Sequence, residues 1–174
     1  MTTSYCLDSG VFINSWTKHY PPELFPAIWA HLDMLCRAKL VFVPSEVAKE
    51  VYDGDDAVAA WLKERRKVVV RPNEDIILQQ KEIVGTFPRL TAEGSTRSAA
   101  DPWVIAFAFK RDAVLVTEEQ KSRNPNPGKP KIPDVCDVLG VKWINTVGLL
   151  RETGFKPCLC HQPTGPVASP ANPS

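Results

Sequence analysis

The sequence predicts an α/β protein built in three layers, α/β/α, around a central, mainly parallel sheet of four to five strands. Short apolar runs of strand length alternate with segments of helical apolar spacing, the pattern of a parallel sheet covered on both faces. Of the 174 residues, 44% are hydrophobic and 24% charged, the usage of an ordinary globular domain. That length suits one domain with a real core.

Taken in order, "SYCLD" reads as a buried strand that delivers Asp8 at its C-terminal end before Ser9 and Gly10 stop it. A helix through "VFINSWTKHY" follows. The double proline at 21 and 22 starts a second helix, "PELFPAIWAHLDMLCRAK", in which Phe25, Ile28, Trp29, Leu32 and Leu35 share one face. "LVFVP" is a second strand. "SEVAKEVYDG" is a helix with Ser45 as its cap, and "DDAVAAWLKERR" a helix opened by two acids that suit the positive helix start.

"KVVVRP" is a strand or an extended connection, and "NEDIILQQKEIVGTF" is helical. A helix from Pro102 to about Lys110, with Asp101 at its cap, leads into a strand "AVLVT". A short helix "IPDVCDVLG", a last strand "VKWIN" and a last helix "TVGLLRETGF" stopped by Gly154 complete the domain, residues 1–155. Residues 156–174 have the Pro-rich composition of a flexible tail.

A net charge of +1 excludes a strongly basic nucleic-acid coat but permits local patches. No apolar stretch approaches about 18 residues and the start lacks a signal-peptide pattern, so a cytoplasmic protein with no membrane contact is expected. Five cysteines without framework spacing fit reduced thiols, with Cys6 and Cys36 in the core. Cys158, Cys160 and His161 lack a second ligand pair, so the tail is not read as a zinc site.

The chemistry lies in the acids. Singly, Asp8 could be a turn residue, Asp101 a cap, Glu46 and Glu50 a solvated helix face, and Glu118 and Glu119 a strand end. Jointly, Asp8, Glu50, Asp101 and Glu119 would collect at one sheet edge from four distant parts of the chain. Like charges about 5 Å apart repel by roughly 3 kcal/mol at an effective dielectric near 20, a cost that a fold does not require. Hard dications such as Mg²⁺ or Mn²⁺ compensate such a cluster and complete their shells with water and phosphate. A metal-dependent phosphodiester cleavage site is the expectation. A haloacid-dehalogenase-like site would need an acid where Gly10 stands, a receiver domain would need one ending a middle strand, and neither a dinucleotide nor a P-loop glycine motif occurs.

In this order the acids resemble those of the PIN-domain nucleases, especially the small toxins of the virulence-associated protein C type. "YCLDSGVFI" resembles the opening strand of that family, which implies Asp8 as metal ligand and Ser9 as supporting hydroxyl. "FVPSEVAKEV" resembles the second motif and points to Glu50 rather than Glu46. "ADPWVIAFAFKRDAVLVTEEQ" is similar to the third and fourth motifs, with Asp101, Thr117 and then Glu119 where the family has Asp; Glu118 is the alternative. "HYPPELFPAIWAHLDML" and "KIPDVCDVLGV" look further like a PIN-like subfamily of unknown function. The resemblance spans about Ser4 to Phe155.

What it implies is a PIN-like fold and an endoribonuclease using Mg²⁺ or Mn²⁺, often a homodimer and often held by a cognate antitoxin protein. A substrate RNA would need cations near the acids, and Lys121, Arg123, Lys129 and Lys131 follow Glu119 in a Pro-rich loop. "KERRK" with Arg71 is a second basic group. Trp16, Trp29, Trp61 and Trp103 lie in helical apolar patterns and are expected in the core or at an interface. The competing readings are an inactive PIN-like module that binds RNA or protein, and a nuclease acting on DNA.

Overall fold

A computed structural model describes residues 3–54, 56–91, 99–124 and 129–157. Five strands form one sheet in the order β3-β2-β1-β4-β5, every pairing parallel. They are β1 (Tyr5–Leu7), β2 (Val41–Pro44), β3 (Val69–Val70), β4 (Val114–Val116) and β5 (Trp143–Ile144). The helices are α1 (Ser9–Asn14), α2 (Pro26–Arg37), α3 (Ser45–Tyr52), α4 (Asp56–Glu64), α5 (Glu74–Thr86), α6 (Asp101–Arg111), α7 (Ile132–Leu139) and α8 (Thr146–Glu152). The arrangement is the three-layer α/β/α expected, with "KVVVRP" resolved into a 3-10 turn and a two-residue edge strand.

The three central strands are short and wholly buried, which is why they read as continuous apolar runs rather than as alternation. α6 is buried from Val104 through Ala108 and packs on β1, β2 and β4 as well as on α3, α5 and α7. A helix apolar nearly all round belongs in the middle of the structure. Trp16, Trp29 and Trp61 form an edge-to-face chain with centroids 4.5 and 5.3 Å apart, and Trp103 packs against the core. Cys6, Cys36 and Cys136 are buried free thiols; burial pushes Cys36 up to about 11 and Cys136 up to about 12, so neither is a ready nucleophile. Phe155 is packed on the core. Asp55, the tail from Cys158, including Cys160 and His161, and residues 125–128 of the basic loop lie outside the described residues.

Four local expectations are corrected. α2 begins at Pro26 and not at Pro22, because a residue before proline is pushed out of helical conformation; Phe25 has φ −128° and ψ 51° and stands half-exposed instead of sharing the buried face. The first helix changes after Asn14 into a π-turn, Ser15–His19, closed by Tyr20 N–H donating to the Ser15 carbonyl at 2.7 Å. Pro44, not Ser45, caps α3, and the Ser45 hydroxyl instead donates to the Glu46 carboxylate at 3.0 Å. Ala100 occupies the cap position of α6, and Asp101 is its first residue with no capping hydrogen bond. The Glu50 carboxylate holds the Ala100 N–H at 3.2 Å, which brings the chain into the helix one residue early and leaves the Asp101 carboxylate to the site.

Candidate active site

The chain order places the site. From β1 it proceeds outward through β2 to β3, then returns to the other side of β1 for β4 and β5. Between β1 and β4 the successive loops diverge, and ligand crevices of open α/β sheets form beyond the C-terminal strand ends at such a switch point. Asp8 ends β1 there, and its N–H donates to the Val116 carbonyl of β4 at 3.0 Å.

Asp8 is the best-held acid. Its Oδ1 accepts the Ser9 N–H at 2.7 Å, capping α1, and its Oδ2 accepts the Thr117 hydroxyl at 2.9 Å. Thr117 in turn accepts the Glu119 N–H at 3.1 Å, so one buried threonine ties the first acid to the last. The Ser9 hydroxyl lies 3.5 Å from Asp8 and also hydrogen-bonds Glu50, which reaches the same space from the last turn of α3. Glu46 faces Ser45 and makes no contact of this kind.

Burial raises Asp8 to about 6, against the pull of its Thr117 and Ser9 hydrogen bonds, with Glu119 adding repulsion. Burial raises Glu50 as well, the Ser9 and Ala100 hydrogen bonds opposing. Asp101 is displaced furthest, to about 9: burial first, then Asp8, Glu119 and Glu50, with Lys129 the opposing charge. Asp8, Glu50, Asp101 and Glu119 therefore share one electrostatic environment although up to 111 positions separate them.

Glu118 and Glu119 diverge. Glu119 uses Oε2 to accept the Ile132 N–H at the start of α7, 2.9 Å, while its charge acts on Asp8 and Asp101. Glu118 accepts the Thr146 N–H at the start of α8, 2.9 Å, and stands 3.5 Å from His19 Nδ1. Both satisfy an orphan helix-start donor, but only Glu119 acts on the other acids. Of the basic loop, Lys129 is near enough to Asp101 to be felt; Lys121 is paired with Asp137 of α7, and Arg123 and Lys131 are exposed. Sequence reasoning grouped Lys129 with its neighbours and missed its place beside Asp101, for which spacing offered no signal.

Among the described residues, no three His, Cys, Asp or Glu side chains form a ready-made metal cage. That spread still fits Mg²⁺ or Mn²⁺: all four groups are hard oxygen donors, and Mg²⁺ keeps several waters and takes one or two carboxylates plus a substrate phosphate. It does not fit a structural zinc site, which needs a closed four-ligand shell.

The strand order and the three layers define a PIN-like fold. The same fold occurs in VapBC-1 from nontypeable Haemophilus influenzae, at 15% identity and TM-score 0.54, covering 83% of this chain and 99% of that one. FitAcB from Neisseria gonorrhoeae (17% identity, 82% and 98% covered, TM-score 0.49) and PAE2754 from Pyrobaculum aerophilum (14%, 90% and 98%, TM-score 0.48) lie further away in shape. No curated protein matches at a significant level. By sequence the chain belongs to the family described as domain of unknown function DUF4411, whose profile matches residues 5–157.

Proposed function

We propose that this chain is a Mg²⁺- or Mn²⁺-dependent endoribonuclease, with Asp8, Glu50, Asp101 and Glu119 as the metal-holding acids. The observation that carries the reading is the gathering of those four carboxylates at the sheet's switch point, with Asp101 buried among the other three. A bound ion would supply an attacking water of lowered pKa and charge stabilisation for the leaving oxygen. The chain's own part is to hold the acids in place. Thr117 and Ser9 fix the Asp8 carboxylate, Thr117 positions Glu119, and Glu50 locks the entry to α6 so that Asp101 turns to the crevice. Lys129, whose charge acts on Asp101, would supply the counter-charge to a scissile phosphate, and the exposed Arg123 and Lys131 of the same loop, with Lys121 once released from Asp137, would meet the RNA backbone. The likeness in motif and fold to the virulence-associated toxins supports a cognate antitoxin filling the crevice, and a homodimer.

The test is incubation of the purified chain with single-stranded RNA and Mn²⁺, mapping the fragments, beside Asp8→Asn and Asp101→Asn. Cleavage by the wild type alone is expected, with RNA binding retained in both variants; unchanged cleavage in either variant sinks the assignment. The competing reading is an inactive binding module that keeps the fold and uses the crevice for RNA or protein contact. Uncut RNA together with no metal-dependent thermal shift would establish it, and cleavage of DNA alone would move the substrate class.

A further inference from the structure

At the opposite end of the sheet a cavity of about 690 Å³ opens beneath the N-terminal ends of the strands, within the size range of small-molecule sites. Ser4 precedes β1 there, Lys39 precedes β2, Lys67 precedes β3 and Arg111 precedes β4, so each of the four strands brings one rim residue. The floor is apolar: Cys36, Val41, Phe42 and Val68 are buried beneath it.

The charges around this cavity do not cancel. Five cations and two acids line it. Both acids are engaged by two of the cations: Asp33 accepts Arg37 Nε and Arg65 Nε at 2.7 Å each, and Glu64 lies 3.2 Å from Arg65. Arg65 is further held by the Trp61 carbonyl at 2.7 Å and lies 3.9 Å over the Trp61 ring. Lys39, Lys67 and Arg111 remain, and among the described residues none of the three is in an ion pair. Arg111 is set differently from the lysines, its guanidinium 4.9 Å over the Phe42 ring and 5.6 Å from that of Phe107. A guanidinium held this way is a planar, weakly hydrated cation on which a flat ring can stack, while a lysine ammonium is a point charge suited to phosphate.

The backbone adds an independent sign. Lys39 sits at φ 57°, the left-handed conformation that ends α2 and that glycine adopts without strain. A lysine stands where the backbone conformation would suit glycine better, and it lines the cavity rim.

We propose that this cavity binds a nucleoside phosphate, the base against Arg111 and the apolar floor and the phosphate between Lys39 and Lys67. It is remote from the acid crevice and requires no metal, and it stands whether or not the chain is a nuclease. The concave shape and the volume favour a small ligand over an extended strand.

The test is calorimetric titration of the full chain in EDTA with AMP, GMP, CMP and UMP, with adenosine and ribose 5-phosphate as part-ligands. At least one nucleotide should bind, more weakly as salt rises, and each part-ligand should bind at least about tenfold more weakly. Lys67→Gln and Lys39→Gly should each weaken the nucleotide about tenfold, while Asp8→Asn leaves it unchanged. Lys39→Gly should also melt at a higher temperature, so that lost binding there cannot be ascribed to unfolding. No nucleotide binding at about 1 mM, equal binding of ribose 5-phosphate, lysine variants that bind like the wild type, or titration by RNA oligonucleotides alone would each overturn the proposal.

Discussion

At the C-terminal end of the sheet, carboxylates from the end of β1, α3, α6 and the loop after β4 act on one another, with Asp8 and Asp101 buried and Glu50 and Glu119 partly so; at the N-terminal end, cations outnumber acids around an open cavity. Asp8, Glu50 and Asp101 are raised above their ordinary range, by burial first and by one another's charge, whereas among the cations Arg37 and Arg65 find carboxylates and Arg111 lies over aromatic rings. The difference follows from burial. A carboxylate inside loses its solvation and cannot be relieved by water, so its neighbours decide its charge; a long basic side chain keeps its head at the rim and leaves only its stem on the core. One end of the sheet is poised to take up positive charge, the other negative.

The comparison breaks most directly at Asp8. If the acid end is catalytic, Asp8→Asn should lower RNA cleavage by about 100-fold or more, the scale on which a group at the chemistry acts; a loss under a few-fold, read by fragment appearance at saturating Mn²⁺, would make that end merely structural. Thr117→Val acts one step removed, through the hydrogen bonds that hold Asp8 and Glu119, and should cost about 10–100-fold. Glu50→Gln against Glu46→Gln sharpens it: cleavage should fall in the first and hold in the second, and equal losses would show that α3 has been read in the wrong register.

The pH dependence of stability comes next in size. Asp101 releases its proton near 3.8 when unfolded and at about 9 when folded, so its stabilising contribution is complete below about pH 3.8 and is lost as the pH rises toward 9. Asp8 behaves likewise over the narrower window from 3.8 to about 6. Urea unfolding in EDTA between pH 6.5 and 8.5 should show stability falling by about 1.4 kcal/mol per pH unit from Asp101. Asp101→Asn should flatten that slope, and a dication should oppose it, because an ion that needs the ionised carboxylates binds better as they deprotonate. An unchanged slope in Asp101→Asn would show that its proton is released near the ordinary carboxylate range. The smallest effect belongs to the other end, where Lys39→Gly should stabilise the fold by about 1 kcal/mol in denaturant melts; destabilisation would show that Lys39 contributes to packing.

Much of the fold was legible because its signals are local. β1, β2 and β4 are uninterrupted apolar runs, and Asn73 and Asn145 cap α5 and α8 through their own side chains at 3.1 and 2.9 Å. Gly154 turns left-handed two residues after α8 ends. Where two local signals compete, reading the chain goes astray: Pro21 and Pro22 suggest a helix start, and Pro26 takes it. The acids were legible as a list because each lies at the end of a predicted element.

Which of two adjacent glutamates belongs to the crevice was not legible. Glu118 and Glu119 are chemically the same, and only the positions of the α7 and α8 starts send one toward Asp8 and the other toward His19. The basic cavity was equally hidden, since Lys39, Lys67 and Arg111 meet only once four strands, β3, β2, β1 and β4, lie side by side. By itself the amino-acid order determined where strands and helices form and which end of each carries charge, since hydrophobic spacing, caps and turns act over a few residues. Only tertiary structure decided the strand order, and with it which charges from remote segments must share a low-dielectric space, because electrostatic coupling depends on distance through space and not along the chain.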